Sequence, residues 1–185
     1  MINTSSILDS LGYMKYKIHA ITCRLDLGIG RINRKRISEW LGGEYHPRRF
    51  RAPIIRFDSN KTIILHETGK GVIAGFKSLR KVKQVVDELA DYLRIDKKNI
   101  KVSVVNIVAS CSLGRMVNLE NLAMVTKSVY IPGTFPSVHC RLKDSNVTAI
   151  VSGGGNVSLV GAKTRKDIVK AIKELKKIID EHPEV

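Results

Sequence analysis

One layout occurs twice along this chain, about 86 residues apart, and that repetition limits the fold to a pair of similar halves. The later copy opens NIVASCSLG over residues 106–114 and closes GGGNVSLVGAK over residues 153–163. The earlier copy opens AITCRLDLG over residues 20–28 and closes TGKGVIAGFK over residues 68–77. Between these ends both copies carry a Tyr, Pro, Phe cluster, EYHPRRF at 44–50 and VYIPGTF at 129–135. Each also has Asp-Ser-Asn-x-Thr, at 58–62 and 144–148. Two copies make a pseudo-symmetric pair, whereas a solenoid needs at least three.

Within each copy the periodicity changes in the same order. Residues 16–27 alternate, with Ile18, Ala20, Thr22, Arg24 and Asp26 on one side and His19, Ile21, Cys23 and Leu25 on the other, which predicts a strand. Residues 31–41 read as a short basic helix stopped by Gly42 and Gly43. Three or four β segments follow, with those at 51–57, 62–66 and 71–76 joined by turn residues and Pro53 suited to an edge or a bulge. Ser78 is a candidate cap for a helix to about Leu93 with an apolar stripe from Leu79 to Leu93.

The second copy predicts a strand over 101–113, a helix over 119–127, β structure from Pro136 to Val160 and a helix over 164–179. Each half therefore reads β-α-β-β-β-β-α. Tight connections make the sheet antiparallel, and helices on one side leave its other face open, an α+β fold. The boundaries this implies are a tail at 1–14, a first repeat at 15–97 and a second at 98–185.

The charge points to a polyanion. There are 32 Lys and Arg against 17 Asp and Glu, a net charge of +15, and 20 of the 32 lie in residues 15–98, so the first half should hold the stronger positive field. A basic but merely soluble protein is the alternative. Cys23, Cys111 and Cys140 lack disulfide or zinc spacing, and neither a signal pattern nor a membrane-length apolar run is present. The expectation is an intracellular, reduced protein away from membranes. No catalytic constellation, cofactor site or metal site is read: GGGN at 153–156 precedes a strand where a phosphate loop would need a helix.

With NIVAS, GAK and the Pro-flanked Phe135 in one repeat, and EYHPRRFRAPIIRF in the other, residues 16–179 resemble the TATA-box-binding protein family. The resemblance implies a saddle of ten antiparallel strands, concave to DNA, with two long helices on the convex back. It also implies minor-groove binding with kinking by inserted phenylalanines, for which this family is a standard example. The first wedge of each repeat matches Phe50 and Phe135. The second wedges are replaced by His66 and Ser152.

Of the paired groove-reading asparagines Asn106 remains and Ala20 stands for the other; Ala74 and Val160 replace two threonines. Val108 and Ser110 share the strand of Asn106, and Arg24 takes a small residue's place on the concave floor. The basic matches are Arg49, Arg56, Arg141, Lys70, Lys77 and Lys163, with Asn156 in place of a further lysine. Since Ser152 cannot fill an unstacked step and one asparagine is gone, kinking and TATA preference should weaken while phosphate attraction stays.

Phe50 and Phe135 are open to a core role, Asn106 to holding buried backbone, and the basic helical runs to protein partners. The acidic stirrup positions that contact the next transcription factor are here Ile131 and Gly133. The implied partners are A/T-rich double-stranded DNA, general transcription factors and the RNA polymerase machinery, with a homodimer allowed when free of DNA. The location is the nucleus, or the nucleoid of an archaeal cell. The alternative is a regulator that keeps the fold and works through protein contacts; an RNA-binding or nuclease-accessory use of the fold is a third reading.

Overall fold

The computed structural model describes residues 15–39, 52, 54–56 and 61–185. Phe50, Arg49, Pro53 and the 1–14 tail therefore lie outside the described residues. The elements run β1 (Tyr16–Asp26), α1 (Arg34–Glu39), β2 (Ile54–Arg56), β3 (Thr62–Leu65), β4 (Lys70–Phe76) and α2 (Leu79–Leu93). After a short 3-10 turn at Lys97–Asn99 come β5 (Lys101–Ser112), α3 (Leu119–Thr126), β6 (Ser137–Arg141), β7 (Thr148–Ser152), β8 (Asn156–Ala162) and α4 (Arg165–Glu181). They form one antiparallel eight-stranded sheet in the order β2-β3-β4-β1-β5-β8-β7-β6.

Each copy thus shows three strands after its short helix among the described residues, where four were expected. In the second copy the missing strand would fall near 129–136, which is turn: Pro132 and Pro136 cannot donate to a ladder, and Gly133 has φ 84°.

By contacts the chain divides into two compact units. One takes the chain up to His19 together with Asn106–Val185, and the other is Ala20–Val105. In the Ala20–Val105 unit Ile21, Cys23, Leu25, Ile55, Ile63, Leu65 and Ile73 are buried beneath α2, whose Val82, Val86 and Leu89 close the core. In the other unit Ile107, Ala109, Val138, Ala149, Val151, Val157 and Leu159 are buried with Ile168, Ile172 and Leu175 of α4 and Leu122 of α3. Period-two alternation accounts for this division into a covered and an uncovered side.

The helix starts differ from the sequence expectation at two points. Ser78 occupies the cap position of α2, but its side chain makes no cap bond. Thr164 makes a full capping box with Asp167, and Asn118 caps α3 by accepting from the Asn121 N–H. Helix α1 begins at Arg34, three residues later than read, because the Asn33 carbonyl oxygen Oδ1 accepts from the Lys35 N–H at 2.9 Å.

The repeat extends to backbone detail. Between β1 and β4 the register shifts where Ile21 pairs Phe76 and Cys23 pairs Ile73; between β5 and β8 it shifts where Ile107 pairs Ala162 and Ala109 pairs Leu159. Both bulges contain a glycine in a positive-φ conformation, Gly75 at 86° and Gly161 at 102°.

Candidate nucleic-acid interface

The side of each unit's strands that faces away from the helices carries the candidate site. In the Asn106–Val185 unit, cross-strand register aligns Ser110, Ser158, Ile150 and His139 in one row over β5, β8, β7 and β6. A second row aligns Val160, Thr148 and Arg141. In the Ala20–Val105 unit the corresponding rows are Arg24, Val72, Ile64 and Ile54, then Ala74, Thr62 and Arg56. Ile54, Ile64, Ile150 and Val160 are only partly covered, and Val72 is 40 % exposed, so this is apolar surface kept in contact with water.

Asn106 has a defined orientation. Its Oδ1 accepts from the Gly161 N–H at 2.8 Å, at the bulge where the ladder cannot supply a partner. With the oxygen committed there, Nδ2 is left as a pair of donors, the polarity that A N3 and T O2 in a minor groove require. Both roles read from the sequence, backbone support and groove contact, are therefore compatible in one side chain. Ala20, its counterpart, has no polar atom to offer.

Phe135 is 52 % exposed and outside the core. Its backbone N–H donates to the Ile131 carbonyl, closing a turn, and its ring meets the His139 ring edge-on with centroids 5.1 Å apart at 80°. Since His139 ends the first row, Phe135 extends that row beyond the edge strand. At the opposite end, His19 Nε2 lies 2.6 Å from Ser110 Oγ. Sequence reasoning missed His139, Ser158 and Thr148 as members of this face. Strict alternation along β6 to β8 would have found them.

His66 directly follows β3 and Ser152 is the last residue of β7, each at a tight turn, with the Gly69 N–H donating to the His66 carbonyl and the Gly155 N–H to that of Ser152. His66 is exposed. The Ser152 hydroxyl donates to the Asn156 carbonyl at 3.2 Å, so it is tied to the turn as well as too small to wedge.

The basic positions are spread along the faces and their rims. Arg24 is exposed opposite Val72, and Lys70 lies opposite Asp26 in the β1–β4 register. Arg56, Arg141, Lys77 and Lys163 are exposed at strand ends. Val108 lies on the same side of β5 as Asn106 and Ser110.

The cysteines take no part in this surface. Cys23, Cys111 and Cys140 are buried, and burial raises all three thiols, that of Cys111 to about 11. Among the described residues no cluster of His, Cys, Asp and Glu could hold a metal ion.

Residues 15–95 and 101–182 match the profile of the family described as "Transcription factor TFIID (or TATA-binding protein, TBP)". The chain is 30 % identical over 167 residues to the TATA-box-binding protein of Pyrobaculum islandicum, covering 86 % of this chain and 83 % of that one. It is 27 % identical over 188 residues to that of Pyrococcus abyssi, covering 98 % and 95 %. Among solved structures, Methanococcus jannaschii TBP superposes with a TM-score of 0.81 at 26 % identity, covering 90 % of this chain and 98 % of that chain.

Proposed function

The chain belongs to the TATA-binding protein family, which is non-enzymatic, and from that membership we propose that it acts as a general transcription initiation factor binding double-stranded DNA. The reading rests above all on one observation: the uncovered side of β5 to β8 presents the Asn106 donors, apolar side chains and Arg141 together. Apolar floor, a few outward donors and peripheral cations suit the minor groove, whose base edges offer acceptors and whose rims are phosphate.

The finer reading is of a weakened sequence preference. Phe135, with Phe50 as its counterpart, supplies a wedge per repeat, while His66 and Ser152 cannot replace the second pair. Unstacking a base step costs on the order of a few kcal/mol, so fewer wedges mean a smaller bend. Phosphate contact through Arg24, Arg56, Lys70, Lys77, Arg141, Lys163 and Arg49 persists. Its further partners would be general transcription factors and RNA polymerase. The archaeal source of the relatives favours action on a nucleoid over a nucleus.

A titration of an A/T-rich duplex across a salt series tests the reading. Six or more phosphate contacts predict that affinity falls on the order of 10³-fold between about 50 and 200 mM salt. Absence of binding at the lowest salt would overturn it in favour of the regulator reading, which the tied hydroxyl of Ser152 and the loss of side chain at Ala20 support.

A further inference from the structure

The two open faces differ in chemistry at one pair of matched positions near the middle of the row. The duplication sets Ser158 where the other unit has Val72, and Ser110 where it has Arg24. The next strand along hardly differs, since Ile150 stands where Ile64 does. Both central positions are open to solvent: Ser158 is exposed and Val72 is 40 % exposed. A base edge laid on these faces meets methyl groups at one and a hydroxyl at the other.

The Ser158 hydroxyl is uncommitted. Its cross-strand neighbour Ser110 is half-buried and lies 2.6 Å from His19 Nε2, whereas among the described residues nothing bonds Ser158 Oγ. A serine hydroxyl carries one donor hydrogen and two acceptor lone pairs and rotates to suit its partner. It can donate to A N3 or T O2, and it can also accept from the one group that marks G·C in the minor groove, the guanine N2 amino group. Val72 can do neither. An amino group pressed against its methyls loses water without gaining an acceptor, the arrangement that costs a donor most.

The neighbouring groups act in the same direction. Arg24 stands opposite Val72, and a cation there favours the narrow, strongly negative groove of A·T runs. Asn106, in the unit of Ser158, does not oppose G·C, which adds its amino donor to the acceptors that the outward amide would meet.

We propose that Ser158 is a specificity-determining residue that lets the Asn106–Val185 unit accept G·C base pairs, while the Ala20–Val105 unit rejects them through Val72. The proposal rests on the DNA reading and gives it a sequence rule: A·T is required over one run of base pairs and only allowed over another.

The test uses the full chain and a set of labelled A/T-rich duplexes in which one pair at a time becomes G·C or inosine·C. Inosine lacks the N2 amino group and so presents the A·T pattern to the minor groove. The ratio of the two dissociation constants is read at each position, which cancels any general loss of affinity in a variant. For the parent it should stay below about threefold over one run of positions and reach about tenfold over another. Ser158→Val and Ser158→Ala should both raise it to about tenfold in the first run, the alanine variant keeping the room but removing the acceptor. Val72→Ser should lower it below about threefold in the second run, and this variant decides the case if those at Ser158 fail to fold. Duplex binding with a uniform ratio at every position, or a pattern unmoved by the Ser158 and Val72 variants, would overturn the proposal and leave the DNA reading standing. No binding of any duplex at low salt would overturn both.

Discussion

At Asn106 one amide meets two demands, and the two can be separated. Asn106→Asp keeps an acceptor for the Gly161 N–H but loses both outward donors; Asn106→Ala loses everything. Both should weaken DNA binding by about 1–3 kcal/mol. Thermal unfolding should show a loss of about 1 kcal/mol for the alanine variant alone, since only it leaves the Gly161 N–H without its acceptor. Phe135→Ala should cost less than about 1 kcal/mol of stability because the ring is half exposed, and its effect should appear in the DNA-bound state. Asp167 gives a pH signature. Partial burial raises its carboxyl, but the N–H groups of Lys163 and Thr164 and the Thr164 hydroxyl outweigh that, and the net shift is downward. A lowered folded value means stability that is present above the unfolded value of 3.8 and lost as pH falls through the folded one. The melting-temperature gap between the parent and Asp167→Asn should therefore narrow below about pH 4. These residues could be picked out in the sequence, but their bonds could not: Gly161 is 55 positions from Asn106.

The strands and helices were legible because their periods are clean, whereas their ends depended on particular side chains. Thr164 and Ser78 look alike as caps. Only Thr164 has an acid three residues on to complete the box; the corresponding residue after Ser78 is Lys81. The fourth strand expected in each half fails in the second copy because a run containing Pro132, Gly133 and Pro136 cannot hold a ladder. The β7–β8 turn illustrates how tightly an element end can be specified. Gly155 has φ 77° and a Cβ there would collide with the Arg115 carbonyl, while Gly154 faces open space. Gly155→Ala should destabilise by more than about 2 kcal/mol and Gly154→Ala by less than about 0.5 kcal/mol, measured by denaturant unfolding.

Across the whole molecule the duplication was the most informative feature of the sequence, since matching bulges at Gly75 and Gly161 and matching rows of outward side chains follow from it. The face rows needed register, which a loop one residue shorter in the first copy hides: Ile54 corresponds to His139, 85 positions on, whereas Ile64 corresponds to Ile150, 86 on. The central claim is that two such faces grip DNA electrostatically and bend it with half the usual wedges. A fluorescence-transfer titration of an end-labelled TATA duplex and a scrambled duplex, repeated across salt, tests it most directly. The account predicts salt-steep binding of both, with a modest bend that favours TATA by less than about tenfold and shrinks in Phe135→Ala, where only the Phe50 wedge remains. Binding of neither duplex at low salt, or a bend that survives Phe135→Ala unchanged, would contradict it.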